Sequence, residues 1–325
     1  MKFWLGKLAR FSLRLAFVLG CFVYAAWGIE FERLMAIVGQ YKQGPMLGVF
    51  VFSLTLYWAG AVRLAYLGRG QITVRQAVAA NLLCLGMNNI FPARLGEVAK
   101  LSYLKKALGI SWAQGLGLVF WERFFDLNML LFIALISASD IAHSVALYPL
   151  IGLCGGVWVA LSLFWLYPRQ VKTLYELLPS VNFKRHLNEL SDLMRRGVNA
   201  RFFGVLSVYT LGLWTLNLAF YSLAITWVGG VDLNLPQLAI VFVVMALGYN
   251  IPTTPGGIGV FEASAVLSLG WFGVHSEEAL AISLLIRTIQ YLPTIPAALT
   301  ILAICGLSLK TLHSEQKAPP GPPHS

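Results

Sequence analysis

Charge is scarce in this sequence. Only 12% of its 325 residues are Asp, Glu, Lys or Arg, about half the share of an ordinary soluble domain, while 58% are hydrophobic and the mean hydropathy is +0.72. So few charges cannot furnish a water-facing surface, which excludes a soluble globular protein. A single dry core is excluded too, because uncharged runs recur: residues 202–231 carry no charge, and neither do residues 233–261. Runs beyond about 18 apolar residues read as membrane spans. Cysteine is sparse as well. Cys21, Cys84, Cys154 and Cys305 all lie in apolar stretches without CxxC or metal-ligand spacing, so no disulfide framework, zinc site or other cofactor is expected. The five histidines (His143, His186, His275, His313, His324) fall in loops or the tail, leaving no imidazole base inside the membrane. No nucleotide-binding motif occurs, which argues against an ATP-driven pump acting alone.

What charge there is has one dominant sign. The net charge is +10, but the basic residues are scattered through short segments between apolar stretches, so they read as topology determinants at an anionic cytoplasmic face rather than as a nucleic-acid surface. Apolar segments are expected up to Gly28 and at about 45–67, 74–91, 111–138, 144–167, 202–228, 236–251, 258–273 and 279–308. Those at 74–91, 236–251 and 258–273 are short and adjoin Pro/Gly breaks, which marks them as parts of re-entrant or broken elements. Six complete spans remain. With the N-terminus inside, the inner segments collect Lys2, Lys7, Arg10 and Arg14, then Arg63, Arg69 and Arg75, then Arg94, Lys100, Lys105 and Lys106. Seven more basic residues fall in the 168–201 loop, whereas the outer loops hold only Arg33 and Lys42. Both termini are therefore expected in the cytoplasm of a multi-pass inner-membrane protein. The N-terminal stretch lacks a persuasive small-x-small cleavage site and reads as a retained span. The 168–201 loop reads as an interfacial amphipathic helix pair, and residues 311–325 as a disordered Pro-rich tail.

Two regions echo each other. NNIFPARLGEVAKL (88–101) is followed by a span carrying WERFFD (121–126), and YNIPTTPGGIGVFEAS (249–264) by a span carrying Arg287. Asn89 corresponds to Asn250, Glu97 to Glu262 and Arg123 to Arg287, each pair roughly 160 to 165 residues apart. Three full spans lie between the breaks, and an odd number turns the second unit upside down. The expected architecture is thus all-α and polytopic, one transmembrane domain over 1–310 with inverted repeats at about 71–138 and 233–308, each with a broken or re-entrant helix pair. Interrupted segments in corresponding positions point to a transporter-type site near the midplane.

Arg123 lies about 18 Å beyond Ser111 and Arg287 about 14 Å beyond Glu278 at 1.5 Å per helical residue, both near the centre of a hydrocarbon core of about 30 Å. An ionised side chain there costs about 2.5–3.5 kcal/mol on insertion scales and requires a partner or a wet cavity. Glu122 and Asp126 share the helix of Arg123, the latter at i+3. Together with Arg94, Glu97, Glu122, Asp126 and Glu262, the two arginines form a set that is close to self-neutralising, and it serves equally as an ion-pair lock between the repeats or as the lining of a substrate path. Pro92 and Pro255-Gly256-Gly257 precede the second half-helices, whose unpaired N–H groups and dipole favour an anion. Alternatively, Glu97 and Glu262 cap those half-helices themselves. Non-helical backbone at this depth is tolerated only when buried in protein or lining water.

FPARLGE, WERFFD and PTTPGGIGVFE together resemble the flippase-like transmembrane domain of lysylphosphatidylglycerol synthases and its stand-alone relatives, over roughly residues 10–308. The resemblance implies a polytopic inner-membrane protein with two inverted re-entrant elements around a central cavity, similar to a flippase that moves an aminoacylated phospholipid between leaflets. The synthases continue into a soluble aminoacyl-transferase domain, whereas this sequence ends at Ser325 in a Pro-rich tail, so lipid aminoacylation is not expected. The stand-alone relatives are associated with varied lipids, among them hopanoid and polyprenyl-linked glycan pathways.

The leading expectation is a non-enzymatic flippase or transporter for a lipid with an anionic or zwitterionic head group. The residues expected to meet the head group or balance its charge are Asn89, Pro92, Arg94, Glu97, Glu122, Arg123, Asp126, Asn250, Pro255, Gly256, Gly257, Glu262 and Arg287. Membrane lipids are the expected partners, with lipid- or glycan-synthesis enzymes as further ones and no nucleic acid. The alternatives are a membrane-embedded lipid-modifying enzyme using Glu97 or Asp126 as an acid, and a scaffold for lipid-glycan synthesis.

Overall fold

The computed structural model describes residues 19–21, 23–91, 95–137, 148–176, 188, 191, 198–251 and 254–306. Among them every regular element is a helix. A short amphipathic helix, α1 (Phe31–Gln40), leads into the long α2 (Gln43–Leu67). Then come α3 (Val74–Ile90), α4 (Leu95–Leu108) and α5 (Trp112–Ser137). Next are α6 (Tyr148–Leu166), α7 (Pro168–Glu176) and α8 (Ala200–Leu223), the last running on through a π turn at Ala224–Val228. The chain closes with α9 (Leu235–Asn250), a 3-10 turn at Pro255–Gly257, α10 (Val260–Gly270) and α11 (Ser276–Ile304). Among the described residues three helices are long and apolar enough to cross a membrane: α2, α8 with its π turn, and α11. With α5 (26 residues) and the shorter apolar α6 and α9, they make this an all-α polytopic membrane protein.

The anticipated breaks are present. α3 and α9 stop at Ile90 and Asn250, and α4 and α10 begin at Leu95 and Val260. Both first half-helices open with the same device. Thr73 accepts from the Gln76 backbone N–H while Gln76 accepts from Thr73, and Asn234 and Gln237 do likewise. Such reciprocal caps satisfy two of the N–H groups a helix start leaves orphaned. Order and local chemistry therefore recur as helix, break, helix, long helix.

Packing between the units is reciprocal as well. α3 lies along α11, the long helix of the second unit, and α9 lies along α5, the long helix of the first. α3 approaches α11 closely because Gly86 has no side chain; a Cβ there would stand 2.3 Å from the Thr294 carbonyl oxygen. α2 and α8 pack on each other and close one flank.

Two details depart from the expectation. Residues 29–44, read as an outer loop, contain α1, which packs on α11 and buries Leu34. Arg63 and Lys100, counted among cytoplasmic loop charges, are buried inside α2 and α4. Each has a carboxylate partner in the protein interior, so neither reports on topology. Of the basic 168–201 segment, α7 is helical with Arg169 and Lys172 exposed; most of the remainder, the Pro-rich tail and most of the first apolar stretch lie outside the described residues.

Candidate functional site

α5 carries Glu122, Arg123 and Asp126 in its middle, and at 1.5 Å per residue they sit half-way along a helix of about 39 Å. Consecutive residues on a helix point about 100° apart, so Glu122 and Arg123 turn to different neighbours. Glu122 receives the Lys100 ammonium of α4 at 2.7 Å, and Lys100 also donates to the Asn81 side chain of α3 at 3.0 Å. Arg123 meets Glu97, in the first turn of α4, at 2.6 Å. One turn on, Asp126 takes both guanidinium ends of Arg63 from α2, at 2.6 and 3.3 Å, and the Trp214 indole N–H of α8 at 2.9 Å. Arg63 also reaches Thr210 at 3.3 Å. Three ion pairs thus tie α5 to α2 and α4; two of them, Lys100–Glu122 and Arg63–Asp126, are largely buried, where breaking the pair strands a charge.

The second unit repeats one of these pairs. Glu262, in the first turn of α10, meets Arg287 of α11 at 2.7 Å, the counterpart of Glu97 with Arg123. Glu262 also accepts from the Gly259 backbone N–H at 2.7 Å, so it caps its own half-helix. Arg287 is fully engaged: it donates to the Gly256 carbonyl at 2.8 Å and to the Tyr291 hydroxyl, and lies over the Phe261 ring. Gly256 adopts φ 58°, a left-handed conformation that glycine takes without penalty, and this turns its carbonyl into the break. The equivalent pairs differ in exposure. The Arg287 side chain is 9% exposed and that of Arg123 47%.

Among the described residues, no ion pair joins one unit to the other. At the cavity the joint is made by neutral groups, Asn89 donating to Thr294 at 3.1 Å and accepting from the Tyr249 hydroxyl at 3.1 Å, while at the far end of α4 Lys106 donates to the Gly306 carbonyl at 2.9 Å. The first break is closed by Asn88, whose side-chain oxygen accepts the Gly96 N–H at 2.9 Å at the start of α4.

Between these elements lies a cavity of about 280 Å³. α5 contributes Glu122, Arg123 and Asp126; α2 gives Tyr57 and Arg63; α3 gives Asn81 and Asn89; α4 gives Lys100. From the other side α8 adds Trp214, Asn217 and Tyr221, α9 adds Phe242, Tyr249 and Asn250, and α11 adds Gln290 and Thr294. Of the residues singled out in the sequence, Asn89, Glu122, Arg123, Asp126 and Asn250 line this space. Glu97 sits behind Arg123. Pro255, Gly256, Gly257, Glu262 and Arg287 gather instead into a separate sealed knot around the second break, away from the cavity wall. Pro92 and Arg94 lie outside the described residues. Sequence reasoning missed Arg63 and Lys100, although an arginine inside an apolar stretch was itself a sufficient signal for the first. It also missed Tyr57, Asn81, Trp214, Asn217 and Gln290, which have no distinguishing spacing.

The family described as the lysylphosphatidylglycerol synthase TM region matches residues 11–297. The chain belongs to this family. It is also similar to a UPF0104 membrane protein of Methanocaldococcus jannaschii, 30% identical over 225 residues, which is 63% of this chain and 88% of that protein. No solved structure matches the chain. The family match takes in both breaks, the residues lining the cavity and those of the ion pairs described above.

Proposed function

We propose that the protein moves a lipid with a phosphate-bearing head group between leaflets of the cytoplasmic membrane, relocating the lipid rather than converting it. The observation that carries this reading is Arg123: a half-exposed guanidinium on a membrane-length helix, opening into a polar cavity of about 280 Å³. An arginine at that depth needs a partner or a wet path, and although Glu97 pairs with it, the Arg123 side chain stays 47% exposed. Its planar fork suits a phosphate oxygen pair, and a guanidinium has five N–H donors, more than Glu97 at 2.6 Å and Asp126 at 3.9 Å consume. The acyl chains would remain in hydrocarbon while the head group crosses beside Arg123.

The repeat supports an inverted arrangement of the two units, with both termini cytoplasmic. Equivalent caps, equivalent Glu–Arg pairs and reciprocal packing of α3 on α11 and α9 on α5 are what a pseudo-two-fold axis in the membrane plane produces. The neutral joint at Asn89, Thr294 and Tyr249 favours rocking, because hydrogen bonds between neutral groups exchange at lower cost than buried ion pairs.

The test is exchange of a tail-labelled phosphatidylglycerol in vesicles containing the purified protein. Wild-type protein should make inner-leaflet label accessible to an external quencher; Arg123→Ala should reduce the rate at least tenfold, with Arg123→Lys intermediate. Equal rates for wild type and Arg123→Ala, with both folded, reject the assignment.

A further inference from the structure

The walls of the cavity are not chemically alike, and the difference bears on what lies beyond the phosphate. On one side stand three cations and two carboxylates: Arg63, Lys100 and Arg123 against Glu122 and Asp126. Both carboxylates are committed. Glu122 is held by Lys100, and Asp126 by both ends of Arg63 and by the Trp214 N–H; their side chains are 11% and 20% exposed. Of the charges lining the cavity, Arg123 alone is half-exposed. The facing wall, from α8, α9 and α11 with Tyr57 of α2, contributes no charged group to the lining. It offers carboxamides and phenols.

Those neutral groups retain hydrogen-bonding capacity. Asn217 spends one amide N–H on the Leu213 carbonyl at 2.8 Å, and a carboxamide carries a second N–H and a carbonyl oxygen besides. Tyr249 donates to Asn89, which leaves its phenolic oxygen able to accept. Gln290 lines the same wall, and beyond the hydrogen bond its side chain shares with Tyr221 its carboxamide has further donor and acceptor capacity. Groups that both donate and accept match an alcohol, which does the same. An ammonium only donates, and here it would be stripped of water beside carboxylates that are each already paired with a cation, Glu97 with Arg123, Glu122 with Lys100 and Asp126 with Arg63.

Building on the proposed transport, we infer that the transported head group is a phosphodiester ending in uncharged hydroxyls, and that an amine-ended head group is discriminated against. Arg123 takes the phosphate; Asn217, Gln290 and the Tyr249 phenol take the hydroxyls. The rejection of amines arises from the pairing of Glu122 and Asp126 with Lys100 and Arg63, which leaves no carboxylate free to bind a head-group cation.

The experiment uses the full chain in phosphatidylcholine vesicles with one trace tail-labelled lipid at a time. Phosphatidylglycerol supplies a hydroxyl end, phosphatidylethanolamine an ammonium end, and phosphatidylmethanol the same charge as phosphatidylglycerol without the hydroxyls. Arg123-dependent exchange of phosphatidylglycerol should exceed that of phosphatidylethanolamine at least tenfold and that of phosphatidylmethanol several-fold. Asn217→Asp, nearly isosteric, places a free carboxylate on the neutral wall and should cut the preference for phosphatidylglycerol over phosphatidylethanolamine at least tenfold. Equal or faster exchange of phosphatidylethanolamine, or equal exchange of phosphatidylmethanol, overturns the head-group assignment while transport stands. Absence of Arg123-dependent exchange for every lipid overturns both.

Discussion

Arg123 and Arg287 occupy equivalent positions in the two units and meet opposite surroundings. Both pair with the first-turn glutamate of a half-helix, yet one guanidinium faces a cavity and the other is enclosed by Glu262, two glycine carbonyls and two aromatic rings. Their substitutions should therefore separate cleanly. Arg287→Ala strands a buried glutamate and should destabilise the protein by about 3–5 kcal/mol, read as a large fall in the thermal midpoint in detergent. Arg123→Ala removes a half-exposed pair and should cost about 1 kcal/mol or less while abolishing exchange. Asp126→Asn should behave like the first kind, since it leaves Arg63, 5% exposed as a residue, without its bidentate anion. Rough depth and charge of these side chains were legible in the sequence. Which of them faces a cavity was not, because exposure depends on what four other helices place opposite.

At the level of elements, helix bounds followed closely from apolar run length and from Pro/Gly punctuation: the run at 45–67 is α2, that at 74–91 is α3, and that at 236–251 is α9. α1 escaped because a ten-residue amphipathic helix between charged residues carries too little apolar signal to register as a membrane element. The close approaches were equally hidden. A Cβ on Gly96 would stand 1.9 Å from the Cys84 carbonyl oxygen, and one on Gly86 2.3 Å from that of Thr294. Backbone cannot retreat as a flexible side chain can, so Gly96→Ala should push α4 off α3 and Gly86→Ala should part α3 from α11. Each is expected to lower the thermal midpoint by several degrees, whereas Gly212→Ala on α8, where a Cβ would meet nothing within 4 Å, should leave it unchanged.

At the scale of the whole molecule, the proposed inversion makes a topological prediction: reporters fused before residue 19 and after residue 306 should both report the cytoplasm, and one placed at Asn234, ahead of α9, the opposite side. A reporter at Asn234 on the same side as both termini would remove the inverted arrangement. The positive-inside pattern that motivates this prediction survives the loss of Arg63 and Lys100, because the N-terminal cluster and the 168–201 segment still far outweigh Arg33 and Lys42 of the outer loops. Scarcity of charge and the length of apolar runs, by themselves, determined that this chain is a helical membrane protein with two broken units, since a bilayer admits few other ways to satisfy a backbone. Only the tertiary structure decided which charges are buried in ion pairs and which one faces the cavity half-exposed. The physical reason is that an ion pair is completed by whichever helix packs across from it, and partners such as Arg63 with Asp126, far apart along the chain, meet through packing that no local pattern encodes.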